Sequence, residues 1–244
     1  MRGIAAVFGG SRGIGYAVSE RLLHEGYEVA VISRNSEDAV RKLAETYGCV
    51  SGYNADASSE PDIKAVYRDI EEKYGHLDAV VNSVGVLDFR TLYDSDEESF
   101  TKMFRTNVFS LLLICRNAVP LLERSTLCPS IVNISAVGSI AGGGRSPIYR
   151  ASKAAFSSLS EAFAESMARK GNGIRVNTVC PSKVLTDMSR MLGESNDEQS
   201  GYMKAEDIAD IVYFLISSEA RVLNGCSILA KGKDFLSRYC EILG

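Results

Sequence analysis

The first fifteen residues constrain this chain more than any other stretch. An apolar run from Ile4 to Phe8 ends in Gly9-Gly10-Ser11-Arg12-Gly13-Ile14-Gly15. A helical pattern over 16–25 follows, carrying Ala17, Val18, Leu22 and Leu23, and Gly26 closes it. A strand that turns through glycines into a helix predicts the opening of a parallel α/β sheet that binds a dinucleotide. Glycines let backbone amides approach a pyrophosphate at a helix N-terminus, where the helix dipole favours negative charge. The spacing is Gly-x-x-x-Gly-x-Gly rather than the commoner Gly-x-Gly-x-x-Gly. A tight connection with no ligand is the plain alternative, but the position between strand and helix favours the cofactor.

The alternation continues along the chain. Strands are predicted at 28–33, 49–54, 79–82, 130–135, 175–180 and 227–230, and helices at 36–47, 58–74, 97–124, from about 149 onward, and 204–217. Ser36 reads as an N-cap, and Pro61 fits a helix opening. A glycine-rich loop spans 138–144. The polar stretch 188–203 loses periodicity and reads as a lid-like loop. The tail from Lys233 forms a small amphipathic helix on this reading. Strands alternating with helices mean one doubly wound parallel sheet, a Rossmann-type α/β fold of about seven strands flanked by helices on both faces. With 244 residues the chain is long enough to do this as a single domain over 1–244.

Composition removes several function classes. A net charge of -4 with no basic stripe argues against nucleic acid. No apolar run approaches the ~20 residues of a membrane span, so no membrane partner is expected. The six cysteines are scattered without a Cys-x-x-Cys pair, and the two histidines, His24 and His76, lie far apart. No metal site is expected from that pattern. Cysteines within apolar runs, such as Cys115, indicate reduced thiols, and no signal peptide precedes the first strand. A cytoplasmic protein is expected, with the mitochondrial matrix as the alternative.

The candidate chemistry lies in Tyr149-Arg150-Ala151-Ser152-Lys153. Positions four apart share a helix face. An ammonium beside a phenol would lower a pKa that is otherwise near ~10 and fit the tyrosine for acid–base work. A solvated helix face is the bland reading of the same spacing. Cofactor choice is read from the end of the second strand. An NAD site would present an acid there, whereas this chain has Ser33 and Arg34. Arg34, with Arg12 in the first loop, would bind a 2′-phosphate, so NADP(H) is expected. A solvated Arg34 beside Glu37 and Asp38 is the competing reading.

These pieces, in this order and spacing, resemble the classical short-chain dehydrogenases/reductases over nearly the whole chain. The matching motifs are Gly9-x-x-x-Gly13-x-Gly15, Asp56, Asn82-Ser83-Val84-Gly85, Asn107, Ile131 to Ser135, Tyr149-x-x-x-Lys153 and Pro181 to Met188. The resemblance implies that Tyr149 passes a proton to a carbonyl oxygen as hydride arrives from the nicotinamide. Lys153 would lower the tyrosine pKa and hold the nicotinamide ribose, and Asn107 would keep a water in the proton relay. It also implies that Gly9, Ser11, Arg12, Gly13, Ile14 and Gly15 hold the phosphates. Arg34 and Asn35 would meet the adenosine ribose, and Asp56 and Ala57 the adenine. Asn82, Ser83, Val84 and Gly85 would line the cleft, and Val184 and Thr186 would touch the carboxamide end. The implied activity is NADPH-dependent reduction of a small-molecule ketone or aldehyde, such as a 3-oxoacyl thioester or quinone. Relatives assemble through helices that correspond here to 97–124 and 149–169. A homodimer or homotetramer follows from that, with a hetero-oligomer as a variant.

The chain also departs from that pattern. The family's serine thirteen residues before the tyrosine is Ala136 here. Ser135 is adjacent but on the opposite strand face, and Ser139 could reach from the loop; both are candidate substrate residues. Val84 interrupts the usual Asn-Ala-Gly, Ser182 follows Pro181, and Lys231-Gly232-Lys233 replaces Asp-Gly-Gly. A rival reading follows from Ala136: a catalytically weak NADP-binding subunit or sensor.

Overall fold

The structure, a computed structural model, describes residues 3–139, 146–190 and 201–232. The glycine-rich loop expected at 138–144 lies mostly outside these residues, as do the middle of the polar stretch (191–200) and the tail from Lys233. The strands are β1 Gly3–Phe8, β2 Tyr27–Ser33, β3 Val50–Asn54, β4 Ala79–Asn82, β5 Ser130–Ile134, β6 Arg175–Pro181 and β7 Ser227–Ala230. All pair in parallel, in the order β3-β2-β1-β4-β5-β6-β7. The expected doubly wound seven-stranded sheet is therefore present.

The helices are α1 Gly13–His24, α2 Glu37–Tyr47, α3 Glu60–Tyr74, α4 Glu97–Phe104, α5 Ser110–Leu122, α6 Pro147–Lys170, α7 Asp187–Arg190 and α8 Ala205–Ile216. Strand alternation sends Ala6 and Phe8 to one face of the sheet and Ala5 and Val7 to the other. The first face packs on α3, α5 and α6 through Ile63, Ile70, Leu113 and Phe156. The second packs on α1, α2 and α8 through Val18, Leu22, Leu43 and Val212. Each face buries a continuous apolar layer, which is why both faces of a parallel sheet must be covered.

Local chemistry explains where most helices begin. Ser59 accepts from the Asp62 amide at the start of α3, and Asp96 and Ser99 form a reciprocal cap on α4. Ser36 does not cap α2 as expected. Its hydroxyl and its amide both donate to Asn54 Oδ1, each at 2.9 Å, so a partner on β3 outcompetes the helix end. The helix expected over 97–124 is interrupted by one wide, five-residue turn at Arg105–Phe109. Such π-turns gather at functional sites, and this one carries Asn107.

Candidate active site

Strand order reverses at β1 and β4, and a ligand crevice in an open α/β sheet opens at the carboxyl ends of the strands at such a point. Gly9 and Ser83 leave the two strands there. Gly9 has φ +76, and a Cβ on it would come within 2.7 Å of the Ser83 carbonyl oxygen. A Cβ on Gly15 would fall 2.2 Å from the Gly9 carbonyl oxygen, so α1 can sit against its own turn only with glycine there. Helix α1 starts after Arg12 with no side-chain cap and no acid in its first turn. Its free amides and dipole suit a phosphate. Ser11 is partly exposed and Ile14 half-buried beside that turn. Across the crevice Asn82 is buried, with Oδ1 accepting from the Val84 amide at 3.1 Å and Nδ2 left without a partner among the described residues. A buried orphan donor costs free energy unless something meets it. The glycine cradle, the uncapped helix start and this donor fit a dinucleotide.

The remaining cofactor candidates surround the same end of the sheet. Thr186 rests against the glycine turn, since a Cβ on Gly13 would lie 3.3 Å from Thr186 Cγ2. Val184 is buried and bridges to Met203. Asp56 is exposed, its Oδ1 accepting from the amide and hydroxyl of Ser58 at 2.8 Å each, and Ala57 is buried behind it. Arg12, Arg34 and Asn35 are exposed, and neither arginine side chain has a hydrogen bond or ion pair among the described residues. Arg34 lines a cleft of about 740 Å3 with Asp56, Ser58, Glu97, Lys102 and Arg105. Arg12 is not part of that cleft. Lys102 and Arg105 are cations that the sequence reading missed; their three-residue spacing on one helix face was the available signal.

Asn107 is fully buried and joins two parts of the site. Its Oδ1 accepts from the Val86 amide at 2.8 Å, and its Nδ2 donates to the Val86 carbonyl at 3.1 Å and to Ser152 Oγ at 2.9 Å. The side chain thus acts as a rung of sheet for the segment leaving β4. The wide turn aims it there.

Tyr149 and Lys153 lie on the first turns of α6, as expected, but the amine does not act on the phenol. Lys153 Nζ donates to the Ile134 carbonyl at 3.1 Å and sits 4.7 Å from the centre of the Phe156 ring. Burial brings the amine down to about 8 from an ordinary 10.5. Burial also pushes the Tyr149 phenol up to about 12, with no compensating charge. The expected lowering of the tyrosine by the lysine is corrected on this point, because a strand-end carbonyl and an aromatic face hold the ammonium first. Lys153 does reach the crevice: a Cβ on Gly85 would come within 3.3 Å of its Nζ and 3.5 Å of Asn107 Oδ1. No described residue hydrogen-bonds the Tyr149 hydroxyl.

Neither serine offered for Ala136 is free to donate to a substrate. Ser135 Oγ is buried, pairing with Ser157 Oγ at 2.8 Å and donating to the Lys153 carbonyl at 3.2 Å. Ser139 Oγ donates to the Ala136 carbonyl at 2.7 Å, accepts from Ser157 at 3.2 Å and lies 3.9 Å from Cys180. The strand pleat turns Ser135 under α6, and a tight turn over Val137–Ser139 folds Ser139 back on itself. Ser146, just before α6, is buried with a partnerless hydroxyl and φ 73, the one positive value at a non-glycine among the described residues. Such strain costs about 1–3 kcal/mol and gathers at functional sites.

Comparison with known proteins agrees with this geometry. A family model described as enoyl-(acyl carrier protein) reductase matches residues 9–232. The chain is 32% identical to 3-oxoacyl-[acyl-carrier-protein] reductase of Bos taurus over 219 residues, 88% of this chain and 91% of that protein. It belongs to the short-chain dehydrogenase/reductase family. It is also 33% identical to carbonyl reductase family member 4 of Xenopus laevis, over 89% of this chain and 92% of that one. A solved dehydrogenase/reductase of Sinorhizobium meliloti superposes with a TM-score of 0.86 at 27% identity, covering 94% of this chain and 93% of that one. The short-chain dehydrogenases/reductases are oxidoreductases that bind a nicotinamide cofactor.

Proposed function

We propose that this chain is an NADPH-dependent reductase that converts a ketone or aldehyde carbonyl to an alcohol, with 3-oxoacyl thioesters and quinones as the substrate classes to try first. The observation that carries the reading is the arrangement around Gly85. Lys153 and Asn107 both converge on that crevice wall, and Tyr149 stands one helical turn before Lys153 with its hydroxyl bonded to no described residue. Gly9, Ser11, Arg12, Gly13, Ile14 and Gly15 would hold the pyrophosphate. Arg34, with Arg105 and Lys102 across the cleft, would hold a 2′-phosphate, while Asn35, Asp56 and Ala57 would border the adenosine. Asn82, Ser83, Val84, Gly85, Val184 and Thr186 would enclose the nicotinamide half.

A nicotinamide held in this crevice would supply the hydride. Tyr149 gives its Oη proton to the carbonyl oxygen, Lys153 holds the ribose, and Asn107 fixes the β4 loop that forms the wall. A phenol near 12 is fully protonated at neutral pH. It therefore carries a proton to give, although burial makes it a weaker acid than a free tyrosine, and a charge or hydrogen bond at the loaded site would have to bring the phenol down toward the working pH. The test is NADPH consumption, compared with NADH, on diketones, quinones and 3-oxoacyl thioesters. Wild type should prefer NADPH, and Tyr149→Phe should lose about 10²–10⁴-fold in rate. Equal inertness of both chains on the whole panel would refute the reading.

Ala136 and the turned-in Ser135 and Ser139 favour a second reading, the weak NADP-binding subunit or sensor. Restoring a donor separates the two. If Ala136→Ser gains on the order of 10²-fold over a nearly inert wild type that still binds NADPH, the second reading holds; brisk turnover by wild type removes it.

Assembly as a homodimer or homotetramer through α4–α5 and α6 is part of the proposal. Phe100 on α4 is 47% exposed, and Leu92 and Tyr93 on the preceding loop are 71% and 98% exposed. An apolar group of this kind marks a contact surface. Light scattering should give at least twice the 26.5 kDa chain mass; a monomer at all concentrations would contradict it.

A further inference from the structure

We infer that Ser152 is a positioning residue that ties the catalytic tyrosine's helix turn to the crevice wall. The kinetic part of this inference rests on the reductase reading; the geometric part does not. Ser152 is fully buried. Its Oγ donates to the Tyr149 carbonyl at 2.7 Å and accepts from Asn107 Nδ2 at 2.9 Å. Asn107 grips both backbone groups of Val86. One unbroken line of hydrogen bonds therefore runs from the loop after β4, through the wide turn of Arg105–Phe109, to the main chain of Tyr149.

A serine that bonds a carbonyl one turn back in its own helix is ordinary. The second bond is not: it comes from a residue 45 positions earlier in the chain. A hydroxyl carries one proton, and here that proton goes to the Tyr149 carbonyl. Ser152 can then only accept from Asn107, so the amide must present Nδ2 to α6 and Oδ1 to the Val86 amide. The same hydroxyl thus fixes both the orientation of Asn107 and the placement of the Tyr149 turn. Such a linkage matters because a misplacement of ~1 Å at a reacting group can cost about 10²-fold in rate. It matters more in a chain with Ala136, where fewer groups orient the substrate carbonyl.

Ser152→Ala removes the link without disfavouring the helix, since alanine is the best helix former. Ser152→Thr keeps the hydroxyl. The inference expects Ser152→Ala to lose about 10–100-fold in kcat, with Kd for NADPH changed less than about threefold, and Ser152→Thr to recover most of the loss. It also expects faster amide hydrogen exchange over both 105–109 and 150–156 in Ser152→Ala. Unchanged kcat with faster exchange would reduce Ser152 to a structural residue and overturn the inference, as would unchanged exchange in either segment. If wild type turns over no carbonyl, the reductase reading falls by itself. Exchange then decides alone: faster in both segments supports the linkage, and unchanged in either overturns it.

Discussion

A Lys153→Met chain is expected to lose carbonyl reduction by about 10²–10⁴-fold and, with it, a rise in stability at alkaline pH. Methionine keeps an apolar stem against Phe156; only the ammonium goes. In the wild-type fold, burial brings this amine down to about 8 from 10.5. Between about pH 8 and 10.5 the folded chain has released the proton while the unfolded chain still holds it. The unfolded state then binds more protons, so stability rises with pH across that window. Below pH 8 both states are protonated, and the folded state carries the whole cost of a buried ammonium, about 3 kcal/mol on the usual conversion. The Ile134 bond and the Phe156 face offset part of it. Denaturant titrations from about pH 7 to about pH 10 check this as the difference between wild type and variant. Above pH 10 the Tyr149 phenol acts in the opposite sense. It keeps its proton in the folded state up to about 12, so stability falls there as the unfolded phenols ionise. A variant that retains the wild-type rise, or that turns over within about threefold of wild type, would show that the amine serves the strand end and not the reaction.

What the sequence made legible is what short-range sterics and strand or helix period decide. Gly9 and Gly15 had to be glycines because atoms lie closer to their Cβ positions than any side chain tolerates. The seven strands could be found because both faces of a parallel sheet are buried and each strand is an apolar run. Tyr149 and Lys153 fell on one helix because four residues is about one turn. The spacing says where a Cβ points, however, and not where a four-carbon stem ends. Lys153 found the Ile134 carbonyl, which lies 19 residues away in sequence. Ser36 found Asn54 in place of its own helix for the same reason. Ser135 was foreseen on the wrong strand face, and the pleat does turn it inward. The π-turn at Asn107 had no local signal in the sequence, and the contact it serves, that amide's pairing with Val86, is a tertiary one across 21 residues. Ser152 stood inside the quoted motif, yet its role depends on a partner 45 residues away.

Arg175 supports the largest stability prediction, and nothing in the sequence sets it apart from other arginines. It opens β6, is only 5% exposed and forms no ion pair with a carboxylate among the described residues. Its guanidinium donates to the carbonyls of Leu215 at 2.8 Å, Ala220 at 3.0 Å, Ile216 at 3.1 Å and Ser217 at 3.3 Å. These are the last carbonyls of α8 and the turn beyond it, groups that a helix cannot satisfy internally. The negative end of the α8 dipole serves as the counter-ion. Removing the cation takes the Ile216 carbonyl's donor and leaves Leu215, Ser217 and Ala220 with only the Ser130 hydroxyl and the Ala220 and Leu223 amides, and each lost bond to a charged group is worth about 1.5–3 kcal/mol. Arg175→Met is therefore expected to lower the melting temperature by roughly 10 °C for a chain of this size. Arg175→Lys should fall between, since one ammonium cannot span four carbonyls in the fork geometry of a guanidinium. The effect should reach the cofactor, because α8 packs on α1 and so braces the glycine turn. NADPH should then protect the variant less than the wild type at equal concentration, through a weaker Kd. A melting temperature within about 2 °C of wild type would mean that the guanidinium's desolvation cancels its four bonds, and that α8 needs no cation to end where it does.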